Sequence, residues 1–240
     1  MSRSSDVQPA LGQPVDDWVM PIAPSGDVLR GTYATLEPLN ADAHAVALFD
    51  RFQGHDQVWD YMPYGPFETA DTYASWIAET VSKPEHFFYA IQNVETGDWE
   101  GVASYLRINP AAGSIEVGHI CMSPALQRTA AATEAMYLMM QWAFDAGYRR
   151  YEWKCNAGNS ASRGAAQRYG LSYEGVFRQA AVIKGRNRDT AWFAAIDREW
   201  PALKTAFQTW LSPDNFDGGQ QIQRLRDLTA PILVARDPIL

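Results

Sequence analysis

The stretch MSPALQRTAAATEA, residues 122–135, joins a predicted strand to the most strongly helix-forming segment of the chain. Pro124 ends strand pairing, and the small residues from Thr129 to Ala132 leave the first helical turn almost without side-chain bulk. The free N–H groups of such a turn lie at the positive end of a helix, where they bind an anion such as a pyrophosphate. An ordinary helix that starts with good helix formers has the same spacing, so both interpretations stay open for this stretch alone.

Alternation, helical spacing and turn residues divide the rest of the chain into strands and helices. The predicted strands cover residues 28–39, 87–93, 100–109, 114–122, 150–156, 173–184 and 190–196, the last two forming a hairpin around residues 185–187. The predicted helices cover residues 41–52, 68–82, 129–146 and 160–169, followed by an apolar helix from about residue 198 and a polar helix that ends near Pro231. This order predicts an α+β fold: a mixed, mostly antiparallel sheet flanked by helices.

The predicted organisation has three parts, which are an N-terminal arm (residues 1–27), a domain (residues 28–198) and a C-terminal helical extension (residues 199–240). The arm is rich in Ser, Pro, Gln and Asp and shows no periodicity, which is typical of a segment with little regular structure. Its apolar residues Trp18, Val19 and Ile22 favour a strap over the domain, and a disordered tail is the alternative.

Composition excludes several classes of function. The chain has 240 residues, a formal net charge of -8 and a pI of about 5.0, which argues against nucleic acid as a partner. No run of eighteen apolar residues is present, so no membrane span is expected, and the start lacks the apolar region of a secretory signal. Cys121 and Cys155 are the only cysteines, which predicts no disulfide framework, no thiolate metal site and a reducing, cytoplasmic compartment.

Several motifs in one order resemble a known family. The stretch from Gln127 to Ala132 resembles the acetyl-CoA motif Q/R-x-x-G-x-G/A of the GNAT superfamily, and the ATEA run that follows resembles the RimJ/RimL branch of ribosomal-protein N-terminal acetyltransferases. Further matches to that branch are Leu29-x-Gly31, Leu36-x-Pro38-Leu39, Glu116-Val-Gly118, Asn159-x-x-Ser162, Tyr169-Gly170-Leu171 and Glu174-Gly175. The resemblance covers most of the chain from residue 29 to residue 200 and implies a GNAT-like acyl-CoA N-acyltransferase fold.

The resemblance also implies a set of site residues. Met122 matches a position whose backbone pairs with the pantetheine or acetyl group, and the amide of Asn159 matches one that contacts the pantetheine arm. Ser162 matches a hydroxyl that protonates the departing thiolate, so it is a predicted catalytic acid. The predicted pyrophosphate loop and its helical continuation comprise Gln127, Arg128, Thr129, Ala130, Ala131, Ala132 and Thr133.

Two positions depart from the family pattern. Ala130 and Ala132 replace glycines of the acetyl-CoA motif, and alanine narrows the phosphate approach without blocking it because it tolerates helical backbone angles. Some RimL-type enzymes carry a glutamate just after a Glu-Gly-x-x-x-Gln segment, whereas Gln179 here is followed by Ala180 and Ala181. A general base must therefore lie elsewhere or be unnecessary.

Glu116 is the first candidate for that base, acting directly or through a water, and a structural hydrogen-bond acceptor is the alternative. His119 ranks second, since alternation along the strand places it on the face opposite Glu116. A free α-amine with a pKa of about 7.7–8.0 is roughly a tenth neutral at pH 7, whereas a lysine near 10.4 is neutral in fewer than about one molecule in a thousand. A missing glutamate therefore favours an α-amine or another amine of low pKa.

The aromatic loop at residues 58–67 is predicted to line the acceptor pocket through Trp59 and Tyr61, together with Glu116, and a hydrophobic plug is the alternative. Asp56 or Asp60 could attract an ammonium group there. The basic segment at residues 184–189 is interpreted as a solvated hairpin tip.

Together these features predict an N-acetyltransferase that uses acetyl-CoA as co-substrate, needs no metal and acts on a protein N-terminus or a small amine. A non-catalytic CoA-binding domain and a transferase of longer acyl groups are the alternatives. The C-terminal helix with Trp200 and Trp210 is expected to pack on the domain, or else to form a homodimer seam or cover the acceptor site.

Overall fold

A computed structural model describes residues 12–218 and 220–240. The strands are β1 (Leu29–Arg30), β2 (Ala34–Pro38), β3 (His86–Asn93), β4 (Trp99–Asn109), β5 (Ser114–Met122), β6 (Arg150–Asn156), β7 (Ser172–Ile183), β8 (Arg186–Ile196), β9 (Phe216–Asp217) and β10 (Gln220–Gln221). The α-helices are α1 (Ala41–Phe52), α2 (Ala70–Val81), α3 (Ala130–Asp145), α4 (Ser160–Arg168), α5 (Trp200–Leu211) and α6 (Leu225–Thr229), with 3-10 turns at Asp56–Trp59 and Pro213–Asn215.

Eight strands form one twisted sheet in the order β1-β2-β3-β4-β5-β6-β8-β7, and β9 and β10 form a separate hairpin. Within the described part of the chain, β5 and β6 are the one parallel pair of the large sheet, because the helix α3 carries the chain back between them. Every other neighbouring pair is antiparallel. The predicted α+β class with a mixed, mostly antiparallel sheet is confirmed.

The parallel pair is incomplete. Residues pair from Ser114 opposite Arg150 to Val117 opposite Trp153, and beyond that point β5 and β6 continue without pairing each other. On its other side β5 shifts register against β4 between Val102 and Ser104. The sheet therefore opens into a wedge between the carboxyl-terminal halves of β5 and β6, where backbone groups face a cleft instead of a neighbouring strand.

Two apolar layers cover the faces of the sheet. One contains α1, α2 and Trp59 packed against Phe88, Ala90 and Val102. The other contains α3 and α5, and its contacts include the stacked rings of Phe144 and Trp200, whose centroids lie 5.1 Å apart. The predicted C-terminal extension thus contributes side chains to the core of the domain, as expected for a packing helix, because the apolar residues Trp200, Leu203, Phe207, Trp210 and Leu211 of α5 are buried in this layer.

Three segments differ from the sequence prediction. The strand predicted at residues 28–39 is two short strands joined by a turn at residues 31–33. The hairpin tip predicted at residues 185–187 is wrong, because Lys184 and Gly185 (φ of 48° and 73°) make a two-residue turn and β8 starts at once with Arg186. The polar helix expected to end near Pro231 is the single turn α6.

Residues 1–11 of the predicted arm lie outside the described residues; of the three residues expected to anchor the arm, Trp18 contacts the domain. The Trp18 ring lies against Gly113, and the guanidinium of Arg149 lies 5.9 Å from its centroid. Val19 and Ile22, which were expected to share this role, are exposed. In the described residues no helix is both long enough and apolar enough to span a membrane.

The turn between β1 and β2 is fixed by one carboxylate. The buried Glu134 of α3 accepts hydrogen bonds from the backbone N–H groups of Thr32, Tyr33 and Ala34 at 3.0, 2.5 and 2.7 Å. A Cβ at Gly31 would lie 2.2 Å from the carboxylate oxygen, so only glycine fits beside it. Both the Leu-x-Gly motif and the glutamate of the ATEA run therefore belong to one structural contact between the first strands and α3.

We predict that Glu134→Gln lowers the free energy of unfolding by about 3 kcal/mol, since an amide cannot accept all three charge-assisted bonds and leaves buried N–H groups unpaired. Urea unfolding followed by tryptophan fluorescence measures the change. Glu95→Gln, the same substitution on an exposed turn, is the control and should leave the midpoint where it is. Equal midpoints for the Glu134 variant and the wild type would contradict the assignment.

Candidate active site

The turn before α3 presents free backbone donors. Arg128 has a left-handed backbone (φ 64°), which turns the chain so that successive N–H groups point to one side. Thr129 is the N-cap of α3, and its hydroxyl oxygen accepts from the N–H of Ala132 at 3.1 Å. Within the described residues the N–H groups of Arg128, Ala130 and Ala131 have no acceptor in the protein, so these three can bind an anion.

Other predicted cradle residues have different partners. The side-chain amide of Gln127 donates to the carbonyl of Met122 at 3.0 Å and so braces the loop itself. The N–H of Ala132 is already used by the cap, as described above. Thr133 is a correction: it is buried, its hydroxyl donates to the Thr129 carbonyl at 3.2 Å, and it accepts from Arg168. Because its N–H also bonds within the helix, Thr133 has no group left to offer a phosphate.

Asn159 and Ser162 stand at the wedge between β5 and β6, on the wall of a cavity of about 460 Å³. Asn159 caps α4, its Oδ1 accepting from the Ser162 N–H at 3.0 Å, which leaves its amide Nδ2 without a partner among the described residues. The Ser162 hydroxyl accepts from Trp153 Nε1 at 3.0 Å. Because that bond occupies a lone pair on the oxygen, the hydroxyl keeps its proton for a second hydrogen bond on the cavity side, where the Cys155 thiol also lies.

Glu116 is held by cations on both sides. Its buried carboxylate lies 2.7 Å from Arg107 and 2.7 Å from the ammonium of Lys154, the second contact being an ion pair whose angle is poor for a hydrogen bond. Lys154 also contacts Glu152 at 2.7 Å. Glu116 does face the cavity, but it could take a proton only by giving up an ion pair, so the geometry favours the structural alternative over the role of base.

The predicted orientation of His119 is wrong. His119 has a left-handed backbone (φ 51°), which breaks the alternation, and both it and Glu116 line the cavity. Its Nδ1 lies 3.1 Å from the hydroxyl of Tyr64, whose ring stacks on the imidazole. Burial, assisted by His86 and by the charges of Arg107 and Arg188, lowers the pKa of His119 to about 4, so it is neutral at physiological pH.

The aromatic loop contributes differently from the prediction. Trp59 is a correction: it is buried among Phe52, Phe67 and Tyr73 and does not line the cavity. Tyr61 does line it, and its hydroxyl donates to the carbonyl of Gly158 at 3.3 Å. The hydrophobic-plug alternative therefore describes one half of the loop, because its buried aromatic rings fill the layer under α1 and α2.

Asp56 and Asp60 were proposed as attractants for an ammonium group. Both are exposed and neither belongs to the lining of the cavity. No carboxylate from this loop therefore faces the reaction space in the described part of the chain.

Three cationic residues of the cavity were missed by the sequence analysis: Arg107, Lys154 and Arg188. Arg188 lies in the segment interpreted as a solvated tip, which is another correction, since strand pairing continues through it. Alternation was the available signal, because Arg188, Thr190 and Trp192 are two residues apart and all line the cavity. In the described residues no cluster of three or more His, Cys, Asp or Glu side chains is placed to hold a metal ion.

The C-terminal tail positions α4. Asp237 has a fully buried side chain that pairs with the buried Arg163 of α4, at 2.6 and 2.5 Å. The remaining guanidinium nitrogen donates to the carbonyl of Ala157, just before the helix. Because α4 begins with Asn159 and carries Ser162, residues at the end of the chain fix the wall of the cavity.

These features together define an acyltransferase: a mixed sheet that parts between two parallel strands, with an anion cradle at the following helix. Residues 34–172, more than half of the chain, match the model of the acetyltransferase (GNAT) domain. The chain belongs to the GNAT acetyltransferase family and is an enzyme of the acyltransferase class. No curated protein matches it.

Solved structures agree with this assignment. A GCN5-related N-acetyltransferase from Brucella melitensis is 42% identical, with a TM-score of 0.88 over 90% of this chain and 100% of its own. A probable acetyltransferase (GNAT family) from Chromobacterium violaceum ATCC 12472 is 41% identical, with a TM-score of 0.76 over 83% of this chain and 100% of its own. RimL, a ribosomal L7/L12 alpha-N-protein acetyltransferase, is 18% identical with a TM-score of 0.61 over 73% of this chain and 99% of its own, which shows the fold alone.

We predict that Asp237→Asn lowers the free energy of unfolding by about 3 kcal/mol, since it leaves the Arg163 guanidinium buried without its counter-charge. Adding Arg163→Met should recover part of the loss, so the double variant is more stable than the sum of the single effects requires. Urea unfolding of the four proteins measures the coupling. Asp227→Asn, at the exposed pair with Arg226, is the control and should change nothing measurable. Additive effects at 163 and 237 would contradict the coupling between Arg163 and Asp237.

Proposed function

We propose that this enzyme moves an acetyl group from acetyl-CoA to a primary amine, either the α-amine of a protein N-terminus or a small amine, and that it is related to the RimJ/RimL branch. The observation that carries the proposal is the turn with free N–H groups at Arg128, Ala130 and Ala131, which follows directly on β5, the strand that parts from β6. The turn suits a pyrophosphate, and the wedge suits the amide-bearing arm that follows it in coenzyme A.

The chain's own residues fit such a ligand. The Nδ2 amide of Asn159 is free to donate to a carbonyl in the wedge, and Ile120, which pairs with neither β4 nor β6 in the described register, lines the same cavity. The motifs shared with the RimJ/RimL branch support the relation to it, and RimL itself is a distant structural neighbour. Both cysteines are free and buried, which fits the cytoplasmic location that we also propose.

Acetyl-CoA supplies a thioester, so the amine nitrogen forms a bond to the acetyl carbon, the C–S bond breaks, the nitrogen loses a proton and the sulfur gains one. Ser162 holds a donatable proton at the wall of the wedge. Because Glu116 is engaged by Arg107 and Lys154, the proton from the amine is best passed to water, which suits an amine of low pKa. Backbone N–H groups near Met122 are proposed to stabilise the developing oxyanion.

A panel of amines tests the function directly. Purified protein is given acetyl-CoA with peptide N-termini, amino acids, polyamines or no amine, and release of free thiol is recorded. Acceptor-dependent release above the amine-free rate is expected. Background rates with every amine, despite measurable binding of CoA, would overturn the proposed reaction.

The cradle is tested by Ala130→Glu, which we predict weakens CoA binding about a hundredfold or more, since a carboxylate beside the free N–H groups repels a pyrophosphate and fills its approach. Calorimetric titration with CoA measures the affinity. Ala112→Glu places the same charge on the exposed turn before β5 and should bind CoA as the wild type does. Unchanged affinity in the Ala130 variant would remove the cradle assignment.

Ser162 is tested by comparison with its partner. We predict that Ser162→Ala lowers kcat about a hundredfold and changes the Kd for CoA by less than about threefold, since a proton donor acts only in the reaction. Trp153→Phe is the matched variant, because it breaks the same hydrogen bond and keeps the hydroxyl. If both variants lose turnover equally, or if Ser162→Ala loses affinity in parallel with kcat, Ser162 serves structure or binding and is no acid.

A further inference from the structure

The acceptor side of the cavity carries excess positive charge. Three cationic side chains line it, and Glu116 is the one carboxylate among its described lining residues. Lys154 is neutralised between Glu116 and Glu152 and has its ammonium 3.9 Å from the centroid of the Trp192 ring. Arg107 uses one nitrogen on Glu116 and leaves the rest of an exposed guanidinium free.

Arg188 is the most unusual of these groups. Its Nε is buried without a hydrogen-bond partner, and among the described residues its guanidinium makes no ion pair. Leaving such a donor buried and unpaired costs free energy, and a ligand that accepts a hydrogen bond from it would recover that free energy. A guanidinium presents parallel N–H donors that match a carboxylate or phosphate in two bonds at once.

The position of Arg188 connects it with the reaction space. Arg188 lines the same cavity as His119, on β5, and Cys155, on β6, the two strands that part at the wedge. Its direct cross-strand partner on β7 is Ala181, whose short side chain shares the face and leaves the space in front of the guanidinium open.

The cavity is roofed by the aromatic loop. On one side of the loop, the Tyr61 hydroxyl donates to the carbonyl of Gly158, beside α4. On the other side, the ammonium of Lys184, in the hairpin of β7 and β8, donates to the carbonyl of Trp59 in the loop at 3.1 Å. These two hydrogen bonds hold the loop on both sides, and its residues Tyr61, Met62 and Pro63 line the cavity. A loop held in this way leaves more room for a small acceptor than for a polypeptide.

We propose that the acceptor is a small amine carrying a carboxylate or phosphate group near its amino group, and that Arg188, assisted by Arg107, binds that anion. This inference rests on the proposed acetyl transfer and narrows its acceptor. It excludes polyamines, whose charge the two arginines repel, and it makes Arg188 a specificity-determining residue.

Matched amines test the preference. Glycine is compared with glycinamide, other amino acids with their amides, and O-phosphoethanolamine with ethanolamine, with spermidine as the polycation. The expected kcat/KM is about tenfold to a hundredfold higher for the anionic member of a pair. The amine of an amino-acid amide is less basic than the amine of the amino acid, so a larger fraction of it is neutral and able to react. Without an anion site the amide would therefore be the better acceptor, which is the opposite of the expected preference. The first two comparisons report on carboxylate and the third on phosphate.

Variants assign the preference to its residue. Arg188→Gln should reduce the preference for the anionic amine to below about threefold. Arg188→Lys should retain part of that preference, because lysine keeps the positive charge but lacks the parallel N–H donors of a guanidinium. Ala181→Glu places a carboxylate opposite Arg188 and should suppress anionic acceptors in the same way. Arg186→Gln, on the exposed start of β8, is the control with wild-type selectivity. Every variant should keep the wild-type affinity for CoA and its melting temperature, which shows that it folds.

The outcomes separate this inference from the function on which it rests. If no amine accelerates thiol release, the proposed transfer fails. If neutral amines or spermidine are acetylated as well as anionic ones, or if Arg188→Gln keeps the preference, the transfer stands and the anion site is overturned. If acidic peptides are turned over at rates equal to those of amino acids, the restriction to small acceptors is overturned.

Discussion

The separation of β5 from β6 after Val117 and Trp153 is the constraint on which the rest of the site depends. A parallel pair that stays joined would satisfy its backbone groups internally and leave no cleft. By parting, the two strands leave backbone donors and acceptors facing an opening, and the turn after β5 leads into α3 with three unpaired N–H groups. The proposed anion site and the cavity therefore both lie beside one interruption of the sheet.

Just before β5 and β6 part, a row of acidic and basic side chains of alternating charge runs across the sheet from β4 to β7. Ion pairs of 2.6–2.7 Å link, in order, Arg107, Glu116, Lys154, Glu152, Arg150 and Glu174. The directly opposed Glu116 and Glu152 would repel each other without the ammonium of Lys154 between them. Buried ion pairs add little net stability but penalise wrong pairings, so this chain of charges specifies the register of the strands that form the wedge. It also engages both carboxylate oxygens of Glu116 in ion pairs.

Residues distant in sequence from the site hold its elements in place. The buried Asp237 near the end of the chain holds Arg163, and Glu134 of α3 holds the first turn of the sheet. Each contact joins residues more than seventy positions apart, between elements that local propensity predicts separately. The proposed site residues Asn159 and Ser162 are therefore positioned by contacts that lie outside the cavity.

The sequence by itself determined the order of elements, the mixed sheet, the family and the loop before α3, because alternation, helical spacing and turn residues are local signals. It placed His119 on the wrong face, since a left-handed residue resets alternation without a signature in the letters. It also treated the segment with Arg188 as a solvated tip and Trp59 as a pocket residue. Only the tertiary structure decided these, along with the ion pairs of Glu116 and the partners of Thr133, because each depends on which distant strand or helix lies opposite.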